Sequence, residues 1–319
     1  MEIEVVQSDV TEIEADVLVV NLFEGVTSPG GATEAVDSAL GGVISELISD
    51  GEISGYASEL TLIHTPNSAF PSFKPARVLV AGLGSTDSFD TDVSRRVSAA
   101  VMRKLRIAGT KQVATIVHGV GIGGVDTQQG AQAVVEGSLL GSYRFLKYRT
   151  TDKKRKPDIE NLVVVEGDSS KLDAINAGVS IGIAYSEAEI LARNLVNEPA
   201  NKLSPADLAA VAEKVAGANG LEITVLEQAD VEKLGMGAYV GVSQGGPRPL
   251  KFIHMTYEGD SANPENNIWL IGKGITFDSG GISLKPGAGM GKMKGDMGGG
   301  ASVIGAMQAI SQLKPKLND

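Results

Sequence analysis

Residues Asn267–Pro286 read NIWLIGKGITFDSGGISLKP. Four consecutive apolar residues, Ile268–Ile271, run into a segment crowded with glycine, lysine and aspartate. A short apolar run bounded by glycine is the pattern of a strand buried on both faces of a sheet. We expect a strand over Asn267–Ile271 that ends near Gly272. In open α/β sheets, functional groups gather beyond the carboxyl ends of strands. Lys273, Asp278, Lys285 and Asp296 would then lie together. Across Gly272–Met307, 12 of 36 residues are glycine, which lets backbone approach closely and adopt positive φ. Two aspartates meeting in a tight site repel each other unless a cation lies between them. Hard oxygen donors suit Mg, Mn or Zn. A lysine there can polarise a carbonyl or steady an oxyanion. It can also lose its proton and become a neutral ligand. The alternative is a glycine-rich surface loop with ordinary ion pairs.

Upstream, the chain alternates strand and helix patterns. Strands are expected at Ile3–Val6, Val17–Asn21, Thr61–His64, Arg77–Ala81 and Gln112–His118. Helices are expected at Ala32–Ile48, Val93–Ile107 and Gln129–Leu146. This rhythm implies a mostly parallel sheet with helices on its faces. The pattern breaks at Tyr148–Glu160, YRTTDKKRKPDIE, which is polar, charged and carries a proline. We place the domain boundary there: a first domain over residues 1–150, a linker over 151–160 and a second domain over 161–319. The second half restarts with a strand, Leu162–Val165. A long helix follows, with apolar residues from Leu172 to Leu191 at three- to four-residue spacing. It ends before Asn197-Glu198-Pro199, because the residue ahead of proline is pushed out of the helical region. Ser204-Pro205 opens another helix, with serine as N-cap and proline in the first turn. Further strands are expected at Leu221–Leu226 and Lys251–Tyr257, and a final helix at Ala301–Leu313.

Composition narrows the function classes. The chain has 319 residues, no cysteine and a net charge of −11. Disulfides and thiolate zinc sites are excluded. No apolar run reaches the length of a membrane span, and the acidic, alternating N-terminus lacks the parts of a signal peptide. A cytoplasmic location and no membrane partner are the expectation. The negative charge weighs against a nucleic-acid partner, which favours clustered Lys and Arg. The short KKRK run, Lys153–Lys156, reads as a solvated loop.

Several motifs fail on inspection. Gly119–Gly124 matches G-x-G-x-x-G after an expected strand, but the acidic residue due at the end of a next strand does not arrive. A P-loop at Gly291-Lys292 fails, because Pro286 and Met293 stand where it needs glycine and Ser or Thr. His64, His118 and His254 lie far apart and form no zinc motif. No G-x-S-x-G elbow is present.

The segments GKGITFDSGGISLKP, Gly272–Pro286, and DMGG, Asp296–Gly299, resemble the core of the cytosolic leucine aminopeptidase family, two-metal peptidases of the α/β class. RNLVNEPANKLSP, Arg193–Pro205, and LGMGAYVGVSQG, Leu234–Gly245, are similar to it as well. The resemblance implies a macro-domain-like α/β N-terminal domain and an α/β/α zinc-peptidase-like catalytic domain. It implies two divalent metal ions, Mn or Zn. Lys273 would ligate one of them as a neutral amine, Asp278 would bridge the two, and Asp296 would bind the lysine-bound metal. Lys285 would be the catalytic cation that polarises the scissile carbonyl. All four would contact substrate, while Gly280, Gly281, Gly298 and Gly299 shape the loops. Met290 and Met293 are candidates to line the specificity pocket, with loop packing as their alternative role.

The implied activity is release of N-terminal amino acids, leucine preferred, from peptide substrates, by a homo-hexamer when the chain is full length. The family's remaining metal ligands come from a later N-T-D-A-E-G-R motif, which this sequence does not contain. Three of its five protein metal ligands are present. The expectation is an N-terminal portion of such an enzyme, with an incomplete catalytic domain and weak metal binding. A non-catalytic binding or structural relative is the alternative.

Overall fold

The structure, a computed structural model, describes residues 1–121, 124–151 and 156–318. The chain divides into two compact units, Met1–Ile183 and Ala184–Asp319.

The first unit holds strands β1 (Glu2–Gln7), β2 (Val17–Leu22), β3 (Leu60–His64), β4 (Arg77–Gly82), β5 (Gln112–Thr115) and β6 (Asn161–Glu166). Its helices are α1 (Gly31–Ala39), α2 (Val43–Ser49), α3 (Thr91–Ala108) and α4 (Thr127–Ser142), and it takes in the first half of α5 (Leu172–Asn197). The strand order is β1-β6-β5-β2-β4-β3. Every pairing is parallel except β3 with β4. β2 shows why this sheet forms. Val17 and Val19 pack on one face with Val97, Val101 and Leu105 of α3. Leu18, Val20 and Leu22 pack on the other with Val36 of α1, Leu40 just past its end and Ile44 of α2. Alternate residues thus enter two cores, which a continuous apolar run permits and a one-faced strand does not. Asp90 and Asp126 cap α3 and α4, their side chains accepting from the backbone N–H of Val93 and Gln129, and so fix where these helices start.

The second unit holds the rest of α5, then α6 (Pro205–Asn219), β7 (Glu222–Leu226), α7 (Gln228–Lys233), α8 (Gly237–Ser243), β8 (Phe252–Thr256) and α9 (Gly298–Leu313). β7 and β8 pair antiparallel. The core joins Leu195 of α5, Leu208 and Ala212 of α6, and Ala301 and Ile304 of α9. Ser204 caps α6 in a capping box with Asp207.

Both units are α/β, as expected, and four details differ. The helix expected over Ala32–Ile48 is two helices, because Gly41 and Gly42 take φ of 69° and 90°, values that break a right-handed helix. β5 stops at Thr115 and does not reach His118. The division expected at 151–160 differs from the compact units, because β6 inserts between β1 and β5. Polarity and proline marked an exposed connection there, whereas the sheet recruits the buried Leu162, Val164 and Val165 that follow. Within that connection, Lys153–Arg155 of the basic run lie outside the described residues, as do Ile122 and Gly123 of the glycine loop. The fourth correction is the strand expected at Asn267–Ile271. This segment joins no sheet; only Asn267 makes an isolated bridge, to Asn318. Trp269 is 72% exposed and Ile271 91%. The apolar pattern calls for neighbours on both sides, and the described residues supply none beyond that bridge.

Candidate active site

Two glycine segments meet in the second unit. Gly272 lies so close to the start of α9 that a Cβ there would sit 2.4 Å from the carbonyl oxygen of Gly299. A Cβ on Gly299 would in turn sit 2.8 Å from the Lys273 nitrogen. Gly300 N–H donates to the Lys273 carbonyl at 2.7 Å. Only backbone without side chains fits this approach. It carries Lys273 to Asp296, which lies in a 3-10 segment, Met290–Met297, ahead of α9. Lys273 Nζ lies 2.9 Å from Asp296 Oδ2.

A second turn builds the other pair. Asp278 Oδ1 accepts from Gly280 N–H at 2.8 Å, and Lys285 N–H donates to the Ser279 carbonyl at 2.9 Å. Gly280 takes φ of 90° and leaves no room for a Cβ beside the Ser283 carbonyl. The chain therefore folds back and brings Lys285 Nζ to 2.5 Å from Asp278 Oδ2. Lys285 Nζ also approaches Met293 Sδ at 3.1 Å.

The charges act on one another. Asp296 raises the Lys273 pKa, and the Asp278 charge raises it further. The Lys285 ammonium, then the Gly280 N–H, hold the Asp278 carboxyl below its usual range, with a smaller contribution from Lys273. Two lysines and two aspartates thus form one electrostatic cluster, and the chemistry-bearing residues read from the sequence come together. Met293 touches the cluster through Lys285, while Met290 opens the 3-10 segment. His64, His118 and His254 take no part: His118 is buried in the first unit, and His254 stacks on Trp269 with ring centroids 6.0 Å apart.

Sequence reasoning missed Lys294. Its Nζ donates to the Asn197 carbonyl at the end of α5 and ties down the 3-10 segment that carries Asp296. A lysine in a glycine-rich run gives no sign of that role.

Whether these residues suit a divalent cation can be tested on Asp296. Its Oδ2 is buried and has no hydrogen-bond partner of good geometry. Lys273 Nζ reaches it at ion-pair distance. A buried carboxylate oxygen satisfied only by charge is what a cation would take up. Asp278 is different, since both its oxygens are engaged, and a cation there must displace Lys285. Among the described residues, no three of His, Cys, Asp and Glu converge as a metal cluster. The donors therefore number three only if Lys273 serves as an amine. They fit a divalent cation as a partial set.

Known proteins share this arrangement of sequence. The family model described as the cytosol aminopeptidase family, N-terminal domain, matches residues 19–152, and the one described as that family's catalytic domain matches residues 190–318. A probable cytosol aminopeptidase of Alkaliphilus oremlandii (strain OhILAs) is 39% identical over 318 residues, which are 100% of this chain and 62% of the relative. That of Alkaliphilus metalliredigens (strain QYMF) is 38% identical over 320 residues, 100% of this chain and 63% of the relative. Among solved structures, the bottromycin maturation enzyme BotP in complex with Mn is similar at a TM-score of 0.76 and 30% identity, covering 95% of this chain and 58% of that one. A mutant of tomato leucine aminopeptidase is similar at a TM-score of 0.79 and 25% identity, covering 100% and 61%. The chain thus spans about 62% of the length of the curated relatives it matches. With both domain models matched in order and relatives aligned along its whole length, the chain belongs to the cytosol aminopeptidase family.

Proposed function

We propose that this chain carries part of the active site of a metal-dependent aminopeptidase that removes N-terminal residues, leucine among them, from peptides. The observation that supports this reading best is the convergence of Lys273 with Asp296 and of Lys285 with Asp278 on two glycine-shaped turns. Lys273, Asp278 and Asp296 are the residues that would hold divalent metal. When bound, such ions supply an activated water and a Lewis acid for a scissile carbonyl. Mn and Zn both suit an amine and carboxylate donor set.

The chain's own residues would act as follows. Asp278, paired with the Lys285 ammonium in this structure, would be a carboxylate donor when metal is bound. Lys285 would offer its positive charge to the carbonyl oxygen that gains negative charge on attack. Lys273, which Asp296 and Asp278 favour as an ammonium in this structure, would be a neutral donor beside Asp296 only with a metal bound. Lys294 holds the Asp296 segment in place through the Asn197 carbonyl. Hexameric assembly and a cytoplasmic location go with the same reading. Among the described residues no helix is long and apolar enough to cross a membrane.

Three donors are fewer than a two-metal site uses, so the 319-residue chain alone should turn over poorly. Mn²⁺-dependent hydrolysis of leucine p-nitroanilide tests the reading, with Asp278→Ala as control. The expected result is slow or absent turnover by the chain alone, with any activity lost in the control. Robust turnover that survives Asp278→Ala would contradict the assignment of the site.

A further inference from the structure

Between its sheet and two helices the first unit encloses a small interior space. The wall is drawn from β2, β5 and β6 on one side and from α3 and α4 on the other. No residue of that wall is more than 3% exposed. The space measures about 10 Å³, which is close to the room one water molecule needs and too little for a larger ligand. A cavity that stays dry is apolar, and this one is not. Ser98 of α3, Ser138 of α4, Thr115 of β5 and His118 in the turn after β5 all border it.

Two polar atoms on this wall lack a partner. Ser98 Oγ and His118 Nδ1 are buried and make no hydrogen bond among the described residues. A serine hydroxyl inside a helix can bond back to the carbonyl one turn earlier, and Ser98 does not. Thr115 Oγ1 donates to the Ile116 carbonyl at 3.1 Å, and its oxygen can still accept. Nor can His118 easily turn away to find a partner elsewhere. The next residue, Gly119, lies where a Cβ would sit 2.2 Å from the Phe89 ring, so the backbone beside His118 is tightly held. Each unpaired group carries the full cost of its desolvation. Buried polar groups in folded proteins are nearly always paired, with protein or with ordered water.

We propose that this cavity is a hydration site, in which one resident water bridges His118 Nδ1 and the Ser98 hydroxyl. Thr115 Oγ1 is its third partner. The water ties the turn after β5 to α3 across a space that no side chain fills. Two or three hydrogen bonds are what a buried water ordinarily makes, and they satisfy both unpaired atoms at once. The imidazole nitrogen donates or accepts according to its tautomer, and the water serves either. The site lies wholly in the first unit and takes no part in the chemistry of Lys273, Asp278, Lys285 and Asp296.

Water-oxygen magnetic relaxation dispersion counts long-lived internal waters, and the 319-residue chain would be measured beside two variants. Ser98→Val removes one partner and fills the space. Ser94→Ala is the control, because the Ser94 hydroxyl is also buried and unpaired but does not border the cavity. The expected result is a dispersion amplitude lower by one water in Ser98→Val and unchanged in Ser94→Ala. Equal amplitudes in the parent and Ser98→Val would overturn the proposal, as would an equal fall in both variants. A high-resolution crystal structure of the parent chain decides the matter if Ser98→Val does not fold. It should show one density peak within about 3 Å of both His118 Nδ1 and Ser98 Oγ. A cavity without density there, or a direct hydrogen bond from Ser98 to His118, would overturn the proposal. Because neither readout involves metal binding or hydrolysis, a failure here leaves the reading of the active site standing.

Discussion

On the proposed reading, an ammonium and a metal would compete for Asp278. Lys285 occupies its Oδ2 at 2.5 Å, so any cation that binds there first removes a competing positive charge. Replacing Lys285 with Gln should therefore raise Mn²⁺ affinity several-fold in calorimetric titration while lowering any turnover. A fall in affinity would mean that Lys285 is itself a donor. In the first unit, His118 presents a different problem. It is fully buried, and its Nδ1 has no hydrogen-bond partner. It lines a small cavity whose walls include Val19, Ser98, Val101, Thr115 and Ser138, with no charged side chain. Burial lowers its pKa from 6.5 to about 4. The unfolded chain then takes up a proton below pH 6.5 that the folded chain refuses until about pH 4. Stability attached to His118 is complete above pH 6.5 and falls by about 3 kcal/mol as the pH drops to 4. Urea unfolding at both pH values should show a smaller loss for His118→Gln than for the parent chain; identical losses would refute this.

At the scale of elements, glycine decides where the two site segments meet. Gly272→Ala puts a methyl group 2.4 Å from the Gly299 carbonyl oxygen, and backbone cannot yield as a side-chain tip can. The expected cost is about 1–3 kcal/mol, seen as a lower midpoint in thermal unfolding, together with weaker Mn²⁺ binding as Lys273 moves from Asp296. Gly281→Ala is a contrasting case: it meets open space but sits at φ of 65°, so strain alone should act there. The capping box at Ser204 gives a second check. Its side chain accepts from Asp207 N–H, and Ser204→Ala should destabilise by about 1 kcal/mol in urea unfolding. These elements were largely legible in the sequence, because capping residues and the period-2 and period-3.6 patterns are local signals. The break between α1 and α2 is carried by Gly41-Gly42, which lie inside the single helix expected over Ala32–Ile48. The failed strand at Asn267–Ile271 has the opposite cause: its pattern is that of a strand, but strand structure requires a neighbour that local sequence cannot supply.

For the molecule as a whole, the first unit holds a complete six-stranded sheet with its own cores on both faces. Residues 1–183, made alone, should unfold cooperatively in urea with the His118 pH dependence intact; a broad, non-cooperative transition would contradict that. The compact units divide after Ile183 and the domain division was expected at 151–160; a polar, charged stretch marks an exposed connection and says nothing of which sheet the next strand joins. That Lys273, Asp278, Lys285 and Asp296 come close together was legible, because one glycine-rich segment carries all four. Their pairing, Lys273 with Asp296 and Lys285 with Asp278, was not, since it depends on two backbone approaches that involve no side chain at all.

The central claim is that Lys273, Asp278 and Asp296 form one metal-binding set. Mn²⁺ binding followed by electron paramagnetic resonance tests it most directly, with Asp278→Asn, Asp296→Asn and Lys273→Met measured beside the parent chain. The account predicts saturable, weak binding by the parent and a marked loss in each variant. Binding left unchanged by all three substitutions would contradict it.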